Sequence, residues 1–163
     1  MDRGDAFAVA IVEGGPGLAR MAFFLCGDRT RAEDLVAEAF ASAWPKWSAG
    51  RVDDLGPYLR RTVVNQASKA RRHWRVVVRH EEQSAHSVLS PGADEGLGTR
   101  LDLTRALNSL PTHQRVAVVL RYLEDMSDTE IATLLRIAPG TVKSRISRAL
   151  DAMRTQLRGT NDA

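Results

Sequence analysis

The chain has 163 residues, of which 44% are apolar, with 23 Lys and Arg against 20 Asp and Glu and a single cysteine. No uninterrupted apolar stretch approaches the roughly 18 residues of a membrane-spanning helix, the opening Met1-Asp2-Arg3-Gly4-Asp5 lacks the pattern of a secretory signal, and a lone Cys26 can neither close an internal disulfide nor make a good metal ligand. These features predict a soluble cytoplasmic chain with no membrane partner, made of one ordinary domain or two small helical ones, with Cys26 as a small core residue.

Residues 5 to 26 carry a helical rhythm at Phe7, Ile11, Leu18, Ala22 and Leu25, interrupted by Gly14-Gly15-Pro16-Gly17, which is expected to break or bend the segment. No strand precedes these glycines and no Gly-Lys-Ser/Thr follows, so they do not read as a nucleotide loop. Thr30-Arg31-Ala32-Glu33 then fits a capping box, and Leu35, Ala39, Phe40, Ala43, Trp44 and Trp47 follow at helical spacing. Asp34 and Glu38 lie one turn apart off this stripe, near the helix N-terminus where the dipole favours anions. The pair reads as helix stabilisation or as a docking face. Both carboxylates are expected to be exposed, with nothing nearby to separate their pKa values, so acid–base chemistry is not indicated.

Charge is distributed unevenly: residues 1 to 54 hold 6 basic and 9 acidic side chains, residues 55 to 80 hold 7 and 0, and residues 81 to 99 hold 0 and 4. The cationic segment is the footprint of a polyanion partner, or else a solvated helix face. Pro57 can open a third helix whose apolar stripe is Leu59, Val63, Ala67, Ala70 and Trp74. Arg61, Asn65, Ser68, Lys69 and Arg72 form a second stripe, widened by Arg60, Arg71, His73 and Arg75, with Tyr58 and Trp74 at its ends. Arginines interleaved with aromatics and an amide suit a strand whose phosphates need neutralising and whose unstacked bases need π-faces. Trp74 fits the core as well as a stacking platform. From residue 79 to 99 the periodicity gives way to Ser, Pro, Gly and acidic residues, predicting a flexible linker between domains at 1–78 and 100–158.

In the C-terminal part, Leu103, Leu107 and Leu110 mark one short helix, and Pro111 followed by Val116, Val119, Leu120 and Leu123 marks the next. Ser127-Asp128-Thr129-Glu130 is a second capping box, opening a short helix with Ile131, Leu134 and Leu135. After the turn Arg136-Ile137-Ala138 comes a longer helix from Pro139. At 100° per residue, Val142, Ile146, Ala149, Leu150 and Met153 cluster on one side and Thr141, Ser144, Arg145 and Arg148 on another. A short helix, a tight turn and a second helix with a basic face near its N-terminus is the helix-turn-helix arrangement, whose second helix enters the DNA major groove. A plain helical bundle with solvated arginines is the competing reading.

The predicted fold class is therefore all-α, with two small helical domains joined by a flexible linker and a helix-turn-helix in the second. Here the sequence resembles the small two-domain bacterial sigma factors of the extracytoplasmic-function (ECF) group. Ala32-Glu33-Asp34-Leu35-Val36-Ala37-Glu38-Ala39-Phe40 resembles the core-polymerase-binding helix of region two. Tyr58-Leu59-Arg60-Arg61-Thr62-Val63-Val64-Asn65 with Arg71-Arg72 is similar to the segment that melts and reads the minus-ten element. Leu110-Pro111, Arg115, Leu120-Arg121-Tyr122, Glu130-Ile131-Ala132 and the string from Gly140 to Leu150 resemble region four, which reads the minus-thirty-five element.

The resemblance implies a factor that is not an enzyme and lends promoter specificity to RNA polymerase. It implies contact of Asp34, Leu35 and Glu38 with the polymerase core through its beta-prime and beta subunits. Arg61, Asn65, Lys69, Arg71, Arg72 and Trp74 would hold the minus-ten strand, where flipping a base costs a few kcal/mol that protein contacts must offset. Thr141, Lys143, Ser144, Arg145 and Arg148 would contact the minus-thirty-five duplex. Promoter DNA is the implied partner, a separate anti-sigma factor is plausible, and no cofactor or metal is implied. Relatives often carry Gly and a hydroxyl N-cap where this chain has Arg136 and Ala138, so the turn is expected to lack its easiest left-handed residue and about 1 kcal/mol of capping. A stand-alone helix-turn-helix regulator binding duplex DNA is the alternative, although no dimerisation helix is evident. An enzyme fares worse, because His73, His80, His86 and His113 lack metal spacing and no nucleophile–base arrangement can be argued.

Overall fold

A computed structural model describes the backbone of residues 1–78 and 97–161 and the side chains of residues 1–70, 98 and 101–159. Helices account for the regular structure of the described residues, which contain no strand, and the chain divides into two compact units, Met1–Gln83 and Ser84–Ala163. The all-α, two-unit architecture is the one the sequence predicts. The expected linker lies outside the described residues as far as 96, and helix begins again at Leu97.

Unit 1 consists of α1 (Arg3–Val9), a π-helical turn (Ala10–Gly14), α2 (Gly15–Cys26), α3 (Arg29–Ser48) and α4 (Leu55–Val78). Asp2 caps α1 by accepting from the Asp5 N–H at 2.8 Å, and Asp5 accepts in return from the Asp2 N–H at 3.3 Å. The glycine cluster does not break the helix as expected. The π turn absorbs it, Gly14 and Gly15 keep right-handed φ values of −88° and −55°, and Pro16 falls in the first turn of α2, where a missing N–H costs little. A Cβ at Gly14, Gly15 or Gly17 would meet nothing within 4 Å, so no close approach requires glycine there.

Arg3–Cys26 is consequently one helical run that by length and composition alone could cross a membrane, a test that core helices of soluble proteins also pass. Its apolar residues remain interrupted by Glu13 and Arg20. Leu18, Met21, Ala22 and Leu25 are buried where α2 packs against α3 and α4. Val9, Ile11 and Val12 remain exposed, Val12 at 74%.

Gly27 ends α2 in the left-handed region at φ 78°, donating its N–H to Phe23 O at 2.7 Å. The chain then turns directly into Asp28, whose side chain accepts from the Arg31 N–H at 2.8 Å. The N-cap of α3 is thus Asp28 and not Thr30: Asp is at least as good a cap as Thr and the glycine turn presents it first. Glu33, expected in the box, pairs with Arg29 at 3.1 Å. Cys26 is half-buried, its thiol donating to Asp28 O at 3.2 Å, and burial pushes its pKa up.

Ala32, Leu35, Val36, Ala39, Phe40 and Ala43 are the buried stripe of α3. Trp44 does not join it, remaining 43% exposed with its ring edge-to-face on Phe7 at 5.0 Å. Trp47 is half-buried under the Arg3 guanidinium, 4.7 Å from the ring centroid. Arg3 also donates to Trp47 O at 2.6 Å and Val52 O at 3.4 Å, while the Trp47 indole N–H donates to Arg3 O at 2.8 Å. Arg3 thereby ties the start of the chain to the end of α3 and the loop that follows it. Helix α4 starts at Leu55, with Asp54 accepting from the Gly56 N–H at 3.1 Å and Pro57 inside the first turn. Leu55, Leu59, Val63, Val64 and Ala67 are its described buried residues.

Unit 2 consists of α5 (Leu97–Ser109), α6 (Thr112–Tyr122), α7 (Asp128–Leu135) and α8 (Pro139–Asn161). Leu107 and Leu110 are buried as predicted, whereas Leu103 is 39% exposed. The core joins Val116, Val119 and Leu120 of α6, Ile131 of α7, and Val142, Ile146, Ala149 and Met153 of α8. Among them lies a charged residue, Arg115, only 2% exposed. Its Nε donates to Leu107 O at 2.5 Å and its Nη2 to Asn108 O at 2.6 Å and Leu110 O at 3.3 Å, closing the C-terminal end of α5.

The predicted Ser127/Glu130 capping box is formed: Ser127 Oγ accepts from the Glu130 N–H at 3.2 Å, and Glu130 accepts from the Ser127 N–H at 2.7 Å. Arg136 takes the left-handed conformation, φ 57° and ψ 47°, and the Ile137 N–H closes on Ala132 O at 3.0 Å. Ala138 O accepts from Thr141 and Val142, opening α8. The turn therefore has the shape the sequence predicts and is made without glycine, at a cost of about 1–2 kcal/mol.

Candidate nucleic-acid interface

On α3, Asp34 and Glu38 are exposed one turn apart, as their register requires. Leu35, placed with them from the sequence, is 6% exposed and faces the bundle core. The structure separates it from that surface, and it sets the seat of the helix.

On α4, Arg61 is half-buried and Asn65 and Lys69 are exposed, at successive four-residue steps along one side. Among the described residues neither Arg61 nor Lys69 has an ion-pair partner. Tyr58, at the start of this surface, is half-buried and held by Lys46, whose Nζ donates to its hydroxyl at 2.9 Å and sits 5.4 Å from the ring centroid. Arg71, Arg72 and Trp74 fall within the helical backbone of α4, but their side chains lie outside the described residues.

On α8, Thr141, Ser144 and Arg145 are half-buried and Arg148 is exposed. The Ser144 hydroxyl donates to Thr141 O at 3.0 Å, which leaves its oxygen lone pairs for an incoming donor. Thr141, Arg145 and Arg148 fall within about 60° of one another around the helix, and Ser144 stands about 40° further. Lys143 stands apart, about 160° from Arg145. It lines a cleft of about 300 Å³ with Arg121, Tyr122, Asp128, Asp151 and Arg154. In that cleft Arg121 pairs with Asp128 at 3.5 Å, and Arg154 with Asp151 at 3.5 Å. The five positions singled out on α8 are thus divided between two sides of the helix.

His113, on the first turn of α6, joins the side that carries the arginines, although nothing in the sequence associates it with them. Partial burial, and then the charges of Arg145 and Arg148, push its pKa below the ordinary histidine range. Only tertiary structure brings it there, across more than 30 residues of intervening chain. Among the described residues no three His, Cys, Asp or Glu side chains gather closely enough to hold a metal ion.

An acidic helix face, a cationic helix and a helix-turn-helix with a basic second helix can be set beside known proteins. The family Sigma-70 region 2 matches residues 11–76, and the family Sigma-70, region 4 matches residues 100–153. The RNA polymerase sigma-E factor of Streptomyces coelicolor is 35% identical over 143 residues, 86% of this chain and 79% of that one. The ECF RNA polymerase sigma factor SigL of Mycobacterium tuberculosis is 33% identical over 145 residues, 85% and 81% of the two chains. Among solved structures, the sigma factor RpoE of Bartonella quintana, crystallised with the anti-sigma factor NepR, is similar at a TM-score of 0.70 and 28% identity, over 94% of this chain and 97% of that one. CnrH, solved with the cytosolic domain of CnrY, shares the fold at a TM-score of 0.66. With both regions matched in order and relatives of this kind aligned over most of their length, the chain belongs to the ECF group of the sigma-70 family, the factors that direct RNA polymerase to promoters.

Proposed function

We propose that residues 1–78 bind core polymerase and open the minus-ten element, that 79–99 serve as a tether, and that 100–158 read the minus-thirty-five element. Asp34 and Glu38 meet the polymerase core, beta-prime first, and Leu35 positions their helix from beneath. Arg61, Asn65 and Lys69, continued by Arg71, Arg72 and Trp74, hold the non-template strand. Thr141, Ser144, Arg145 and Arg148 contact the upstream duplex, where an arginine can be bidentate to guanine and hydroxyls fix register on phosphates. Lys143, on its separate side, supplies a phosphate contact at the margin of that surface. Two modest modules on one tether gain selectivity by acting together.

The observation that carries this reading is that, among the described residues, Arg145 and Arg148 stand without carboxylate partners on the second helix of a helix-turn-helix, while Arg121 and Arg154 of the same unit are paired. The chain acts without catalysis or cofactor, in the cytoplasm where polymerase and chromosome are. Because RpoE was crystallised with an anti-sigma factor, we infer a regulator of that kind here. Run-off transcription with sigma-free core polymerase on fragmented genomic DNA should yield discrete start sites that depend on this chain. No start sites and no association with core would favour a stand-alone regulator. Arg145→Ala should then cost about 1–3 kcal/mol in upstream-element binding while leaving polymerase binding intact.

A further inference from the structure

The cations of unit 1 differ in what holds them. Arg29 pairs with Glu33 at 3.1 Å, and Arg3 is taken up by the Trp47 ring and two backbone carbonyls. Lys46, exposed in the last turn of α3, is held by a phenol from the next helix: its Nζ donates to the Tyr58 hydroxyl at 2.9 Å and lies 5.4 Å from the ring centroid. Among the described residues no carboxylate pairs with Lys46, and Asp54, the acid nearest to Tyr58 in sequence, accepts from the Gly56 N–H at 3.1 Å. The contact uses one of the three ammonium donors, and the phenol serves in it as acceptor, so two N–H groups of Lys46 and the O–H of Tyr58 remain to be given. Tyr58 belongs by register to the side of α4 that carries Arg61, Asn65 and Lys69, the four falling within about 80° around the helix and over about 16 Å along it. Lys46 therefore brings a cation from a different helix to the N-terminal end of that row.

We propose that Lys46 and Tyr58 form a seat for one phosphate of the non-template strand, extending the minus-ten surface from α4 onto the end of α3. The inference rests on the reading that this side of α4 holds single-stranded DNA. The Lys46 ammonium and the Tyr58 hydroxyl both donate to the phosphate oxygens, while the phenol oxygen continues to accept from the lysine. The hydrogen bond and the ring contact hold the lysine in place before DNA arrives, so less side-chain freedom is lost on binding. A strand lying along the row is then gripped at both ends, by Lys46 beside the first turn of α4 and by Lys69 about three turns on. Because the contact is to phosphate and not to a base, it strengthens binding to every sequence alike.

The test uses the holoenzyme assembled from the full chain and core polymerase. Its affinity for a single-stranded oligonucleotide carrying the non-template minus-ten sequence, mapped by run-off transcription, is measured over a range of salt, and the melting temperature of each free chain reports folding. Lys46→Gln should weaken binding several-fold and flatten the slope of log affinity against log salt by about 0.7, the share of one phosphate on a single strand. Lys46→Arg should keep the wild-type slope. Tyr58→Phe retains the ring and the lysine charge, so the slope should persist while affinity falls with the lost hydroxyl. A mere staple between α3 and α4 would lower the melting temperature of Lys46→Gln and leave the salt slope untouched, which overturns the proposal. If Lys46→Gln keeps the wild-type affinity and slope while Lys69→Gln flattens it, the seat is likewise overturned and the reading of α4 stands. If Lys69→Gln and Arg61→Gln also change neither quantity, the reading of α4 falls with it.

Discussion

Unit 1 and unit 2 fasten a flanking helix to their cores by opposite means. In unit 1 the start of the chain is held by overlapping contacts: Phe7 sets its ring against Phe40 at 5.7 Å and Trp44 at 5.0 Å, and Arg3 and Trp47 exchange hydrogen bonds and a ring contact. In unit 2 the end of α5 is held chiefly by polar contacts, Arg115 donating to three carbonyls and Ser109 Oγ donating to Gln156 at 2.8 Å. Contacts spread over aromatic surfaces can be lost one at a time. A buried guanidinium that satisfies several acceptors cannot, because its removal leaves them all desolvated together. A sigma factor of this build should therefore lose its second unit abruptly and its first gradually.

The sharpest way to break the comparison is Arg115→Ala, expected to cost about 3 kcal/mol or more. Native-state hydrogen exchange should show protection lost across α6, α7 and α8 while α2 and α3 keep theirs; retained protection in α6 would show that Arg115 is not the fastening. Arg3→Ala should cost less, about 1–2 kcal/mol, in the same experiment, with faster exchange confined to unit 1. Arg136→Gly should act in the other direction, since a left-handed non-glycine residue is relieved, and the melting temperature of unit 2 should rise with a gain of about 1 kcal/mol. The smallest effect concerns His113, whose depressed pKa lets the unfolded chain take up a proton before the folded one does. Stability of unit 2 should therefore be complete above about pH 6.5 and decline as the pH falls below it. Denaturant titrations of His113→Gln should lack that share of the decline.

The helical stripes, the Ser127 capping box and the helix-turn-helix were legible in the sequence because each rests on local register: side chains three and four positions apart share a face wherever the helix is packed. Where the reading departs from the structure, the cause is non-local. Thr30 has the pattern of a cap, but Gly27 turns the chain so that Asp28 arrives first. Trp44 has core spacing, yet its one ring contact among the described residues is edge-to-face with Phe7 from another helix, and it stays 43% exposed. The glycine cluster reads as a break because propensity is assessed residue by residue, while packing of the residues on either side carries the helix across it. Arg115 stands in the region-four resemblance without any sign of its burial, which depends on where the last carbonyls of α5 point. Lys143 sits in the same motif as Arg145, but two residues along a helix turn it to the far side. His113 had no signal at all, since its neighbours come from a different helix.

The bond between Arg3 and Trp47 joins residues 44 positions apart, whereas the bonds of Arg115 span 5 to 8 positions. This difference has a kinetic side. Closing the longer loop gives up more chain entropy and so comes late in folding, while the shorter links are available early. Substitution of Arg3 should accordingly speed unfolding with little change in refolding rate, and substitution of Arg115 should slow refolding itself. The clamp at the start of the chain thus governs how long unit 1 survives once folded, and the buried arginine governs how soon unit 2 is ready for use.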